Sequence, residues 1–290
     1  MKPFSTVLLA VLFSIVAAYA TVKMVLPSSA PAATEAKKET VYERVMRTGT
    51  IRCGYTPYSI GFIKDPNTGA MSGIYFDIVN ELAKNLSLKV EWVEEVGWGT
   101  QVEGVSTGRF DMICSPTSLN AGRTRAADFS ISLYYSPVHI WAATASKDKY
   151  AGQPHAALNN ADVRISVMDG EQTSTFARNY FPQAKQISLP QTAQFSDLML
   201  QVTTGKADIT FAEAYAVNEY LEHNQGTMVQ VSQKPLVIVP NIILMKNDEF
   251  AFKELIDNGL RELFNTGFMD SAISKYEKYP NSYVRETTLR

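Results

Sequence analysis

Two short stretches far apart in the chain read alike: Val105-Ser106-Thr107-Gly108-Arg109-Phe110-Asp111 and Val202-Thr203-Thr204-Gly205-Lys206-Ala207-Asp208. Each joins a predicted helix end to a glycine able to take the left-handed cap, then a basic residue, then an aspartate leading into an apolar strand. Helix-to-strand junctions converge on such residues without any repeat. The pair gains weight from its position, because each copy sits at the same place in a run of alternating strand and helix. Such alternation builds a mainly parallel sheet flanked by helices. Two copies imply an α/β chain of two similar lobes, with a ligand crevice at the carboxyl ends of the strands.

Periodicity places the elements. In the first run, 42–47 reads as a helix and 51–54 as a strand. An amphipathic helix opens at Asp77, 89–94 is a strand, 101–107 a helix and 110–114 a strand. The second run has strands at 163–168, 186–189 and 208–211, with helices at 173–180, 195–204 and 214–223. Extended apolar segments near 138–144 and 236–240 read as two strands crossing between the lobes, which makes them the hinge. Lobe 1 is then discontinuous, 41–137 and 241–290, and lobe 2 is 138–240. Helices at 248–266 and 268–276 complete lobe 1.

Residues 1–20 have the form of an export signal. Lys2 gives the positive start, 6–17 is apolar, and Ala18-Tyr19-Ala20 has the small-x-small form of a cleavage site. An uncleaved N-terminal anchor is the competing reading, since apolar residues return at Val22 and Met24. Residues 21–40, rich in Ala, Ser, Pro, Glu and Lys, read as a disordered linker. The body of the protein is expected outside the cytoplasm, in the periplasm. With 46% hydrophobic residues and a net charge of −2 there is core enough for two lobes, and no basic run to suggest nucleic acid. Cys53 and Cys114 fall near the ends of predicted strands. An oxidising compartment permits a disulfide, but directly paired strands seldom offer the geometry, so the expectation is two buried free thiols. Their spacing matches no metal pattern, and no cofactor is expected.

The stretch 115–137, SPTSLNAGRTRAADFSISLYYSP, concentrates the candidate chemistry. Ser118 or Asn120 can cap a short helix that puts Arg123 in its first turn. A cation is unfavourable at that end unless it faces an anion. A guanidinium fork with a hydroxyl and backbone N–H groups makes a carboxylate clamp. Taken alone, Arg123 reads more simply as a solvated surface arginine, and the rest of the chain has to change that.

Arg123, Phe129-Ser130, Tyr134-Tyr135 and Pro137 together resemble the pattern of the family 3 solute-binding proteins, the periplasmic amino-acid receptors of ABC transporters. The resemblance runs from about Tyr42 to about Tyr279. It implies the two-lobe periplasmic-binding-protein fold of type II and a ligand gripped between lobes. Arg123 would hold the α-carboxylate, with Ser118 five residues before it. Pro116 would offer a carbonyl to the ammonium, with Ser115 preceding it. Glu213 takes the place of the lobe 2 acid that meets the ammonium; as a plain residue it would simply favour the start of the helix 214–223. Trp98, between two glycines, would pack over the ligand. Tyr55 and Tyr58 lie where the opposing aromatic occurs, and at least one of them is expected to line the cleft.

One departure bears on the ligand. Where the family has Gly-Thr-Thr or Gly-Ser-Thr, this chain has Gly170-Glu171-Gln172. Gln172 can donate, but Glu171 puts a negative charge near an anion site unless it points away. This counts against an ordinary neutral α-amino acid and leaves room for a cationic side chain or a larger amine-bearing ligand.

Catalysis is not expected, since His139, His155 and His223 fall in unrelated elements with no nucleophile-base spacing. The alternative is a cyclohexadienyl (prephenate or arogenate) dehydratase on the same fold, with Glu171 or Glu213 doing acid–base work. The expected partners are a small amine-bearing acid and an ABC permease, with no nucleic acid, and the expected state is a monomer.

Overall fold

The computed structural model describes residues 39–280 and 282–285. The expected export signal at 1–20, and all but the last residues of the expected linker at 21–40, lie outside the described residues. Twelve strands are present among those residues: β1 (Thr50–Tyr55), β2 (Ile63–Lys64), β3 (Met71–Ser72), β4 (Lys89–Glu95), β5 (Met112–Ser118), β6 (Ala127–Phe129), β7 (Tyr134–Ala143), β8 (Arg164–Met168), β9 (Lys185–Leu189), β10 (Ile209–Glu213), β11 (Met228–Gln230) and β12 (Val237–Lys246). The long sheet runs β4-β1-β5-β12-β7-β10-β8-β9.

This path holds two parallel blocks with an antiparallel seam between them. β4-β1-β5 is the parallel block of lobe 1 and β10-β8-β9 that of lobe 2. The seam is β7 against β12, and each strand changes partner midway. β7 pairs with β12 up to Val138 and with β10 from there on. β12 pairs with β7 up to Asn241 and with β5 from there on. The two crossing strands are therefore shared by both lobes and longer than the sequence suggested. Buried Asn241 donates to Ser136 Oγ at 2.8 Å, which ties the two strands together where the partners change.

Each lobe has its own apolar core. Ile51 and Met112 of lobe 1 pack against Ile78 and Leu82 of the helix Ile74–Asn85 and against Phe252 and Leu260 of the helix Phe250–Asn265. In lobe 2, Ile165, Val167 and Phe211 pack on Phe176 and Phe181. The helix Ile74–Asn85 starts before Asp77, where the sequence placed its opening. The backbone N–H groups of Ile74 and Tyr75 donate to Ile60 and Gly61 carbonyls, so the preceding loop caps the helix early.

The repeated junction has a physical purpose. Gly108 and Gly205 take left-handed φ values of 75° and 72° after their helices. Each following aspartate then reaches back to the arginine near the start of its lobe's first strand. Asp111 accepts the Arg52 backbone N–H at 2.7 Å and its guanidinium at 3.0 Å. Asp208 accepts the Arg164 backbone N–H at 2.8 Å and its Nε–H at 3.0 Å. The echo in the sequence is thus the same strand-pairing latch built twice.

The free-thiol expectation is overturned: Cys53 and Cys114 form a disulfide. β1 and β5 are neighbours, but the cysteines are not in direct register, since Cys53 lies opposite Met112. Cys114 is two residues further along and on the same face. This diagonal places the Cα atoms 5.5 Å apart, inside the range a disulfide spans.

Candidate functional site

Two further departures shape the cleft. β5 does not stop at Cys114 but runs on to Ser118, because β12 supplies Ile242 and Asn241 as partners for Thr117 and Ser118. After it, Arg123 stands in a single 3-10 turn, Arg123–Arg125, too short for a helix dipole to matter. Neither expected residue is the cap: Gly122 holds that position, Asn120 Oδ1 accepts the Arg123 backbone N–H at 2.9 Å from the preceding loop, and Ser118 belongs to the strand.

The guanidinium of Arg123 lines a partly open cavity between the lobes, which leaves about 40 Å³ for the centres of water molecules. That is room for one small solute or a few waters. Arg123 Nη2 donates to the carbonyls of Trp98 at 3.3 Å and Gly170 at 3.2 Å, so one group spans both lobes. The span depends on a close backbone approach. A Cβ on Gly170 would lie 2.7 Å from Gly99 Cα. Burial pulls the Arg123 pKa down, and the nearby Glu171 charge opposes that pull.

Lobe 2 presents its two acids at helix starts. Glu171 caps the helix Gln172–Tyr180 by accepting the Thr173 N–H at 2.7 Å, and it lines the cavity. It does not point outward; the helix N-terminus offsets its charge instead. Glu213 ends β10 and precedes the helix Ala214–His223. Tyr58 of lobe 1 donates its hydroxyl to Glu213 across the cleft. Burial raises the Glu213 pKa, hydrogen bonds from Tyr58 and the backbone partly offset this, and the Glu171 charge adds to the rise. Burial and Glu213 together push the Tyr58 hydroxyl well above its ordinary value.

The cavity brings together Arg123, Ser118, Pro116, Trp98, Tyr58, Glu171, Gln172 and Glu213. Gln172 Nε2 also donates to the Leu119 carbonyl at 3.2 Å, a further link between lobes. Two candidates lie elsewhere. Tyr55 is buried in the lobe 1 core, stacked on Phe62 with centroids 4.9 Å apart, because alternation along β1 turns it away from the cleft. Ser115 is fully buried, and its Oγ accepts the Thr56 N–H at 2.9 Å, which pins the loop after β1.

Sequence reasoning missed part of the wall. Phe195 meets Tyr58 edge-on at 5.0 Å, opposite Trp98, which meets Tyr58 edge-on at 5.7 Å. Phe176, Phe211 and Asn241 also line the cavity. Gln191 accepts the Gly99 N–H at 2.9 Å and latches the lobes at the rim. The available signal for Phe195 was its place, the first residue of a helix beyond the carboxyl end of β9, where the topology puts the ligand. Among the described residues, no group of three or more His, Cys, Asp or Glu side chains is placed to hold a metal.

The arrangement pairs a cation from one lobe with carboxylates from the other around an aromatic wall, suited to a small molecule with opposite charges. Comparison with known proteins agrees in fold. The chain is 23% identical over 245 residues to a cyclohexadienyl dehydratase of Pseudomonas aeruginosa, covering 83% of this chain and 88% of that one. It is 22% identical to a probable histidine-binding protein of Campylobacter jejuni, over 71% of this chain and 77% of the other. The crystal structure of an ancestral amino acid-binding protein, a precursor of cyclohexadienyl dehydratase, superposes with a TM-score of 0.70 at 24% identity, over 82% of this chain and all of that one. Residues 50–279 match the model of the bacterial extracellular solute-binding proteins, family 3, and the chain belongs to that family.

Proposed function

We propose that this protein is an extracytoplasmic receptor that captures an amino acid by closing its lobes and delivers it to the permease of an ABC transporter. The observation that supports this best is the interlobe cavity, lined by Arg123 from lobe 1 and by Glu213 from lobe 2. In this reading Arg123 and Ser118 hold the α-carboxylate, Glu213 and Tyr58 receive the ammonium, and Trp98 with Phe195 packs the side chain. The lobes are 41–137 with 241–290, and 138–240, and they rotate about β7 and β12. Because the ligand touches both lobes, it binds the closed state better than the open one and so drives closure. The receptor works as a monomer in the periplasm.

The test is calorimetry with a panel of amino acids on the wild type and on Arg123→Ala. The variant is expected to lose on the order of 2–5 kcal/mol of affinity, because a buried carboxylate is left without its partner. Equal affinity would remove Arg123 from the site.

A second reading rests on the dehydratase relative and on Glu213, whose raised pKa suits a general acid. Incubation with prephenate or arogenate decides it: an enzyme releases aromatic product, whereas a receptor shows at most a thermal shift.

A further inference from the structure

We propose that the cleft selects an amino acid bearing a second cationic group, a ligand of net charge +1; this rests on the amino-acid reading above. The charged side chains lining the cavity are Arg123, Glu171 and Glu213, which leaves one carboxylate in excess. A neutral amino acid matches Arg123 with its carboxylate and one acid with its ammonium. The remaining acid then stays unmatched in the cleft, or must take up a proton. Either outcome costs affinity, because a buried charge without a partner is expensive.

The two acids are not equivalent. Glu213 already receives the Tyr58 hydroxyl, and Tyr58 sits between Trp98 and Phe195. Glu171 is held by the Thr173 N–H at 2.7 Å, at the start of a nine-residue helix, with its side chain on the cavity. It lines the same cavity as Arg123 and lies within reach of the guanidinium's charge. We assign the α-ammonium to Glu213 and the distal cation to Glu171, with the aromatic wall packing the aliphatic stem between them.

Matched pairs test this in calorimetry: ornithine against norvaline, lysine against norleucine, arginine against citrulline. The first two pairs share an aliphatic stem and differ by the terminal ammonium, and citrulline replaces the guanidinium of arginine with a neutral urea of nearly the same shape, so the three pairs together separate stem length from charge. The cationic member is expected to bind at least about 10-fold tighter in the pair whose length fits. Glu171→Gln keeps a side-chain carbonyl to cap the helix and should bring that ratio toward one; retained far-UV circular dichroism would show that the variant folds. Cadaverine, which is lysine without its carboxylate, should bind far more weakly than lysine. Equal binding within every pair would overturn the charge selection and leave the amino-acid reading standing. A preference that survives Glu171→Gln would overturn the role of that residue. Binding of some other amino acid of the panel but none of these six would overturn the charge selection alone, and binding of no amino acid at all would overturn both readings.

Discussion

The two lobes carry the same latch in different surroundings. In lobe 1, Asp111 is fully buried and holds two arginines, Arg52 and Arg44. In lobe 2, Asp208 is 15% exposed and Arg164 is 40% exposed, in direct backbone and side-chain contact. Lobe 1 also carries the disulfide that joins its two central strands. A common junction therefore lays down the strand order in both lobes, and burial decides how much each copy stabilises. The lobe that anchors the crossing strand β12 along β5 and β6 is the one braced more heavily.

That contrast can be broken at several points. The largest effect is expected from the double variant Cys53→Ser with Cys114→Ser. It opens a cross-link between residues 61 apart, and chain entropy alone puts the loss at about 4 kcal/mol. Urea denaturation would measure it, and an unchanged midpoint would mean that the bond does not brace lobe 1. Asp111→Ala should cost about 3 kcal/mol, because two partly buried guanidiniums lose their acceptor. Asp208→Ala, the matching change in lobe 2, should shift the same midpoint by clearly less, since solvent can replace the carboxylate. Equal losses would show that burial is not what separates the two latches.

The smallest effect concerns the cleft and depends on pH. The folded Glu213 pKa is raised above its ordinary 4.5, so the unfolded chain gives up this proton at lower pH than the folded one. Its contribution to stability is full below that ordinary value and is lost as pH rises through the folded pKa. Glu213→Gln removes the loss. The variant should therefore melt above the wild type near pH 7, and the gap should close as pH falls below about 4.5. Thermal melts across that range would check it; a gap that widens on acidification would contradict the sign.

The cleft was partly legible in the sequence. Arg123, Glu213, Trp98 and Tyr58, which line the cavity, were picked out through the family resemblance, since local patterning explains Arg123 and Glu213 just as well as a solvated arginine and a helix-start acid. Tyr55 and Ser115 were misassigned because neighbouring strand residues alternate between core and cleft, and the phase was not visible locally. Phe195 and Gln191 were missed because their contacts are with lobe 1, far away in the chain. The disulfide was missed for a related reason: pairing depends on register, which one strand alone does not state.

What the sequence determined by itself is what periodicity and capping control: the alternating elements, the two junctions and the division into two lobes. These depend on residues a few positions apart, whose interactions persist whatever lies beyond them. The tertiary structure alone decided the register of β1 on β5, the partner changes along β7 and β12, and the meeting of Gly99 with Gly170 that lets Arg123 span the cleft. Those follow from how distant surfaces fit. A side chain's path across a gap between lobes is set by atoms that no local window contains.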